Sequence, residues 1–369
     1  MAAAPTLSTD LPDYPPGSVV IITGAGFAAD EVVTLQVLMV GDLGDNLTSP
    51  AHAPWTVNAG ADGSLAATWQ VPLDGDELGA SLHLSANGAT GTKADAYFTD
   101  GPPPAANLDQ GVNGGVTKPP LVPVDWVNGN ANAQNSHFIE GQSIPYRMIL
   151  TRLSIGSHVV EIEWDIRHSG RNAIDYITSF QRISETVNPL LGTEVSGLPS
   201  LFNIPSPPVF TTAGTVGGLS QPTSSYLLVQ AAGQEKFAIY NGTVSDLQYV
   251  PNAQGNLGDL TASISSTRLR ITFNATSPTV VFAWGGHIGS RLDWGDGNSA
   301  GGVSGSPYHT RLISLDGSGG NQDRSLSVDA VCIPPIVTIS GPAVLCEGGS
   351  DTYVASVSGQ VKVYHLGSG

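Results

Sequence analysis

The sequence predicts an all-β chain of tandem β-sandwich domains, and three observations predict it. Glycine (45) and proline (26) are abundant, while only 12% of the 369 residues are charged. That mix favours many short strands joined by turns. Apolar residues recur at every second position in one segment after another, the period of a half-buried strand. Asp-Gly pairs, which accept the backbone of tight turns, punctuate those segments.

The first domain is expected over residues 1–100, with strands from about residue 14: "SVVIITG", "EVVTLQVLMV", "PWTVNA", "SLAATWQVP", "ASLHLSANG" and "KADAYFTD". In "SLAATWQVP", Leu65, Ala67, Trp69 and Val71 alternate with Ser64, Ala66, Thr68 and Gln70. The stretch Gly24-Ala25-Gly26-Phe27-Ala28-Ala29 comes close to the G-x-G-x-x-G/A turn of dinucleotide-binding folds. That turn works only between a strand and a helix, because the helix N-terminus holds the phosphates. Here "DEVVTLQVLMV" follows, which as a helix would be apolar on every side and crowded with β-branched residues. As a strand it places Val33, Leu35, Val37 and Met39 on one face. Gly24 and Gly26 therefore read as a strand-to-strand turn, and no nucleotide is expected.

Residues 101–120, "GPPPAANLDQGVNGGVTKPP", have the composition of a linker. Residues 121–333 are expected to form a larger β-rich domain, a jelly-roll-like sandwich. In "HVVEIEWDI", Val160, Ile162, Trp164 and Ile166 point inward and Glu161, Glu163 and Asp165 outward. "TRLRITFNA" repeats the pattern with Leu269, Ile271 and Phe273, and "TVVFAWGGH" reads as a fully buried strand. "RNAIDYITSFQRI" reads as a short helix without a settled apolar face. Residues 334–369 read as the opening strands of a further sandwich, since about 36 residues cannot close a domain of roughly 100.

"YPPGSVVIITGAGFAADEVVTLQV", "DGSLAATWQVP" and "KADAYFTD" resemble the Ig-like repeats of large bacterial cell-surface and secreted adhesin-type proteins. "VTISGPAVLCEGGSDTYVA" resembles the start of such a repeat, and parts of the middle domain resemble a larger domain of the same proteins. The resemblance implies Ig-like sandwiches at both ends. It also implies an extracellular structural or adhesive module of a multi-domain surface protein, which is expected to be non-enzymatic. The acidic loops add an expectation of calcium stabilisation, and the unclosed C-terminal strands one of filament or stalk formation. Its expected partners are other copies of itself, neighbouring surface proteins or surface glycans. The alternatives are a non-catalytic carbohydrate-binding part of a secreted enzyme, or a serine hydrolase.

The net charge of -17, with lysine only at Lys93, Lys118, Lys236 and Lys362, repels phosphate backbones and attracts divalent cations. Nucleic acid is excluded as a partner on that ground. No apolar run reaches the length of a membrane span, and "MAAAPTLSTDLPD" has neither the basic nor the apolar region of a signal peptide. The two cysteines, Cys332 and Cys346, do not by their number imply a disulfide.

Calcium is the expected cofactor. "DWGDGNS" brings Asp293, Asp296 and Asn298 into one turn-rich stretch, and "LDGSGGNQDRS" adds Asp316, Ser318, Asn321 and Asp323. Clustered oxygen donors among glycines are what Ca²⁺ requires, and Asp293, Asp296, Asn298, Asp316 and Asp323 are the candidate ligands. Weaker candidates are Asp42, Asp45 and Asn46, and Asp74, Asp76 and Glu77. Gly297-Asn298-Ser299-Ala300-Gly301 fits the G-x-S-x-G nucleophile elbow, but the following "GGVSGSPYH" cannot be the helix that motif needs. A triad would also need an aspartate and then His365. His287 and His309 lack the spacing of a transition-metal site. Trp126, Trp294 and Tyr308 are the candidate sugar-stacking aromatics. Lys236 alternates away from Phe237 and Ile239, which disfavours an intramolecular cross-link there.

Overall fold

The computed structural model describes residues 4–41, 48–73, 77–207, 215–216, 219–220, 223–250, 261–304, 308–320, 322–342, 350 and 352–358. They fall into two compact units, Met1–Ala105 with Thr151–Ser154, and Ala106–Leu150 with Ile155–Gly369.

Unit 1 is a sandwich. Its smaller sheet orders β1 (Thr6–Thr9), β3 (Val19–Ala25) and β6 (Leu65–Gln70), all antiparallel. The larger orders β2 (Asp13–Tyr14), β8 (Lys93–Asp100), β7 (Ser81–Gly88), β4 (Val32–Met39) and β5 (Trp55–Asn58), with only β2–β8 parallel. Alternation decides which side chains face the core. Val20, Ile22, Val33, Leu35, Val37, Leu82 and Leu84 are fully buried, whereas Val19 and Ile21 face outward. Gly24 lies within β3, paired with Leu65, and Gly26 begins the turn that leads to β4, so the stretch links strand to strand. At Gly26 (φ +87) a Cβ would lie 3.0 Å from the Pro5 Cα, and at Gly63 (φ +75) one would lie 2.4 Å from the Phe27 carbonyl oxygen. Both positions demand glycine for steric and conformational reasons alone.

Buried polar groups fasten the loops of unit 1. The Glu31 carboxylate accepts from the Ala28 and Thr90 amides and from the Thr90 and Thr92 hydroxyls. His52 donates from Nδ1 to the Val37 carbonyl at 2.9 Å, and its Nε2 lies 3.1 Å from Glu77 Oε1.

Unit 2 is a larger sandwich. Its first sheet runs β10 (Asp125–Val127), β9 (Ala105–Val112), β12 (Ser143–Thr151), β22 (Val280–Ile288), β19 (Lys236–Tyr240) and β16 (Ser200–Asn203). β15 (Ile174–Thr178) shares with β19 the second edge of β22. The second sheet runs β20 (Gly242–Val250), β21 (Ser265–Ala275), β13 (Gly156–His168), β23 (Tyr308–Leu315) and β24 (Gln322–Leu326), with β14 (Arg171–Asn172) also on β13. Phe273 and Phe282 meet edge to face between the sheets, at 4.8 Å. Smaller pairs are β11 (Phe138–Ile139) with β25 (Val331–Cys332), β17 (Thr215–Val216) with β18 (Leu219–Ser220), and β26 (Ile336–Ser340) with β27 (Val354–Ser358). Two short α-helices, α1 (Thr223–Ala231) and α2 (Arg291–Trp294), and three single 3-10 turns, Pro50–His52, Ala300–Gly302 and Val328–Ala330, complete the described elements. Neither helix is long and apolar enough to cross a membrane.

The all-β class holds, and so do the inward faces of β13 and β21 and the burial of β22 along its whole length. Two expectations are corrected. Ala105–Val112, placed in a linker, is a strand whose Leu108 and Val112 are buried. Its polar residues hid it, because they find partners in the interior: Arg147 donates to Asp109, and Gln110 Nε2 donates to the carbonyls of Gly129 and Ser325. The segment read as a short helix instead forms β14 and β15. Residues 173–178 are all buried, so apolar periodicity could not separate helix from strand.

Candidate functional site

Trp284 stacks on Tyr146 and Phe237, and Phe282 meets Phe273, so these side chains of β22 face the space between the sheets. The alternate residues Val281, Gly285 and His287 face the other way. Over that outer face lie Leu190 and Val195, and then Tyr176 against Tyr226 and Val229 of α1. This extra layer encloses a polar network.

At its centre His287 Nδ1 and Asp175 Oδ1 are 2.7 Å apart, and Trp294 Nε1 donates to Asp175 Oδ2 at 3.1 Å. Tyr176 stacks on the imidazole with ring centroids 4.3 Å apart and planes 9° from parallel. Burial pushes the Asp175 carboxyl up, with His287 and Trp294 opposing it. The pair resembles the orienting half of a nucleophile–base–acid relay, in which the outer ring nitrogen must reach a reacting group. Here His287 is 0% exposed and its Nε2 has no hydrogen-bond partner among the described residues. The ring does not meet solvent.

Glu140, buried just after β11, anchors the adjoining loop. Its Oε1 accepts from the Ser299 hydroxyl at 2.5 Å and the Gly301 amide at 2.8 Å, and its Oε2 from the Arg291 amide at 3.0 Å. Ser299, the residue of the nucleophile-elbow motif, is therefore a buried donor to a carboxylate. It precedes a single 3-10 turn, Ala300–Gly302, where the motif would require an α-helix. His365 lies outside the described residues.

The five expected calcium ligands do not converge. Asp293 is buried, and its Oδ2 accepts from the Ser290 hydroxyl at 2.8 Å. Asp296 is 82% exposed, 3.7 Å from Arg291. The Asn298 side chain donates to the Trp294 carbonyl, and its backbone carbonyl accepts from Asn172. Asp316 pairs with His158 at 2.7 Å and accepts from the Val159 amide. Asp323 pairs with His309 at 2.7 Å and Arg311 at 3.5 Å. Burial alone would raise the Asp323 carboxyl, but His309, Arg311 and Arg324 outweigh it and hold it low. Among the described residues no three His, Cys, Asp or Glu side chains gather as a metal site would require. The donor set does not fit a shared calcium centre. Asp42, Asp45, Asn46, Asp74, Asp76 and Asn321 lie outside the described residues, as does Cys346, while Cys332 is buried on β25. Glu77 faces His52 instead.

The sugar-stacking expectation is also corrected. Trp294 and Tyr308 are 4% and 0% exposed, so neither offers a face to a ligand. Trp126 is half-buried, with Arg147 over its ring at 4.8 Å. Sequence reasoning missed Asp175 and Glu140. The available signal was a carboxylate inside an apolar run, as in "AIDYI", which must find a buried partner.

No family model matches the chain, and no curated protein matches it. Among solved structures, macromomycin aligns at 17% identity and TM-score 0.21, over 26% of this chain and 99% of its own. A tetra-tandem repeat from the extending region of a large adhesion protein aligns at 12% identity and TM-score 0.17, over 96% and 87%. The Ca²⁺-stabilised adhesin of an Antarctic bacterium aligns at 13% identity and TM-score 0.20, over 97% and 83%. Likenesses this weak carry no argument about function. What stands is the architecture, an all-β chain of sandwich units.

Proposed function

We propose that this chain is a non-catalytic structural module of an extracellular surface protein, with adhesion as its broader task. One observation supports this above the others. The catalytic-type side chains of the candidate site, Asp175, His287, Ser299 and Glu140, are all buried; they join β15 to β22 and hold the loop that carries α2. A hydrolase would need at least one of them open to substrate.

The test pairs activity with mechanics. The purified chain should turn over no ester, peptide or glycoside substrate, and His287→Gln should instead lower the force at which unit 2 unfolds in single-molecule pulling. Turnover lost in both His287→Gln and Ser299→Ala would replace this reading with the hydrolase. The calcium expectation is checked in the same preparation by melting in calcium and in chelator. A calcium-dependent rise abolished by Asp293→Ala with Asp296→Ala would restore it.

A further inference from the structure

His137 sits between two acceptors. Its Nδ1 lies 2.6 Å from the Gly114 carbonyl oxygen, and its Nε2 lies 3.6 Å from Glu185 Oε1. A carbonyl oxygen only accepts, so Nδ1 must carry a proton. A neutral ring would then aim the bare lone pair of Nε2 at a carboxylate oxygen. Only the imidazolium presents a proton to both acceptors.

Asn113 closes the arrangement into a ring. Its Oδ1 accepts from the His137 amide at 2.9 Å, and its Nδ2 donates to Glu185 Oε1 at 3.4 Å. Three separate stretches meet here: the residues after β9, the loop before β11, and the segment that carries Glu185. That third stretch continues into the layer over the outer face of the first sheet. There Arg147 donates to the carbonyls of Pro189 and Leu191, and Leu190 and Val195 pack towards Val281.

The His137 and Glu185 side chains are 11% and 8% exposed, so their attraction is little screened. Among the described residues Glu185 is the charged group that faces His137, and it raises the imidazolium above its ordinary range, with burial opposing. Burial alone would raise Glu185, but His137 and Asn113 outweigh it and hold the carboxyl low.

We propose that His137 is a pH-sensitive latch that holds the covering segment around Glu185 in place in mild acid and releases it as pH rises. A raised imidazolium contributes stability that is complete below its unfolded value of about 6.5 and is lost as pH climbs through the folded value. Glu185, held low, contributes above its unfolded value of about 4.3 and fails only in stronger acid. The latch is closed between those limits and opens on the alkaline side.

Hydrogen exchange on the whole chain, corrected for intrinsic rates, tests this. Amide protection at residues 186–191 should fall by about tenfold between about pH 6 and about pH 9. In Glu185→Gln the His137 ring resonances should titrate at lower pH than in the parent, and the step in protection should vanish. His137→Gln should show low protection at every pH. Protection in the parent that is flat across that range would overturn the latch. So would a step that survives unchanged in Glu185→Gln.

Discussion

Glu31 and Glu140 do the same job in the two units, and the difference between them is instructive. Each is a buried carboxylate that collects backbone amides and hydroxyls from a distant loop. In unit 1, Glu31 pins the β7–β8 turn to the start of β4, and the sandwich on either side is complete without it. In unit 2, Glu140 holds the loop that carries α2, Trp294 and Ser299, part of an added layer outside the sheet. Such a layer has no alternating face of its own, so polar contacts must fix its position. The same side chain is thus a local fastener in one unit and a structural joint in the other.

The sharpest way to break that comparison is Glu140→Ala. It leaves the Arg291 and Gly301 amides and the Ser299 hydroxyl without their acceptor, at a cost of about 3 kcal/mol. The loss should appear as reduced hydrogen-exchange protection across residues 290–302, with unit 1 unchanged. A loss spread evenly over both units would mean that the carboxylate supports more than this layer.

The two units also differ in how far their sequences disclose them. Unit 1 is legible, because Val33, Leu35 and Val37 alternate with more exposed neighbours and the Asp62-Gly63 turn falls between β5 and β6. In unit 2 the sheets around β13, β21 and β22 are legible for the same reason. Ala105–Val112 is not, since Asp109 and Gln110 look solvent-facing until Arg147 and Ser325 arrive from far along the chain. The candidate site is hidden in a similar way. Asp293 and Ser299 stand in a recognisable Gly-rich loop, but the Asp175–His287 contact depends on β15 pairing with β22 across a register shift. Local pattern carries no information about which distant strand will be the neighbour.

A smaller effect at neutral pH comes from the titration of Glu31. Hydrogen bonds from the Thr90 hydroxyl and amide, with those from Ala28 and Thr92, lower the Glu31 pKa to about 2. A depressed carboxyl contributes stability that is present above its unfolded value of about 4.3 and is lost as pH falls through the folded value. Unit 1 should therefore weaken between about pH 4.5 and about pH 2. Glu31→Gln should be less stable than the parent at neutral pH and flatter across that acid window. Acid titrations monitored on unit 1 resonances provide the check, and parallel curves for the two proteins would remove Glu31 from the account.

The smallest effect is expected on the outer face of the second sheet of unit 2. Arg270 pairs with Glu161 at 2.7 Å, Arg268 with Glu163 at 2.9 Å, and Arg311 with Asp165 at 2.7 Å. The ladder grades from open to enclosed, since the Arg270 side chain is 49% exposed and that of Asp165 only 4%. Arg270 has solvent as an alternative partner, and Glu161 keeps Arg268 at 3.6 Å. Arg270→Ala should therefore cost only about 0.5 kcal/mol, as exposed pairs do. Screening should erase even that at about 0.5 M salt, where the Debye length is near the contact distance. Denaturant melts of the parent and variant at low and high salt measure both numbers. If the loss exceeds about 2 kcal/mol or ignores salt, the ladder belongs with Glu140 as a joint rather than a solvated face. The outer surface of this sheet would then be a third place where charge, rather than alternation, fixes the fold.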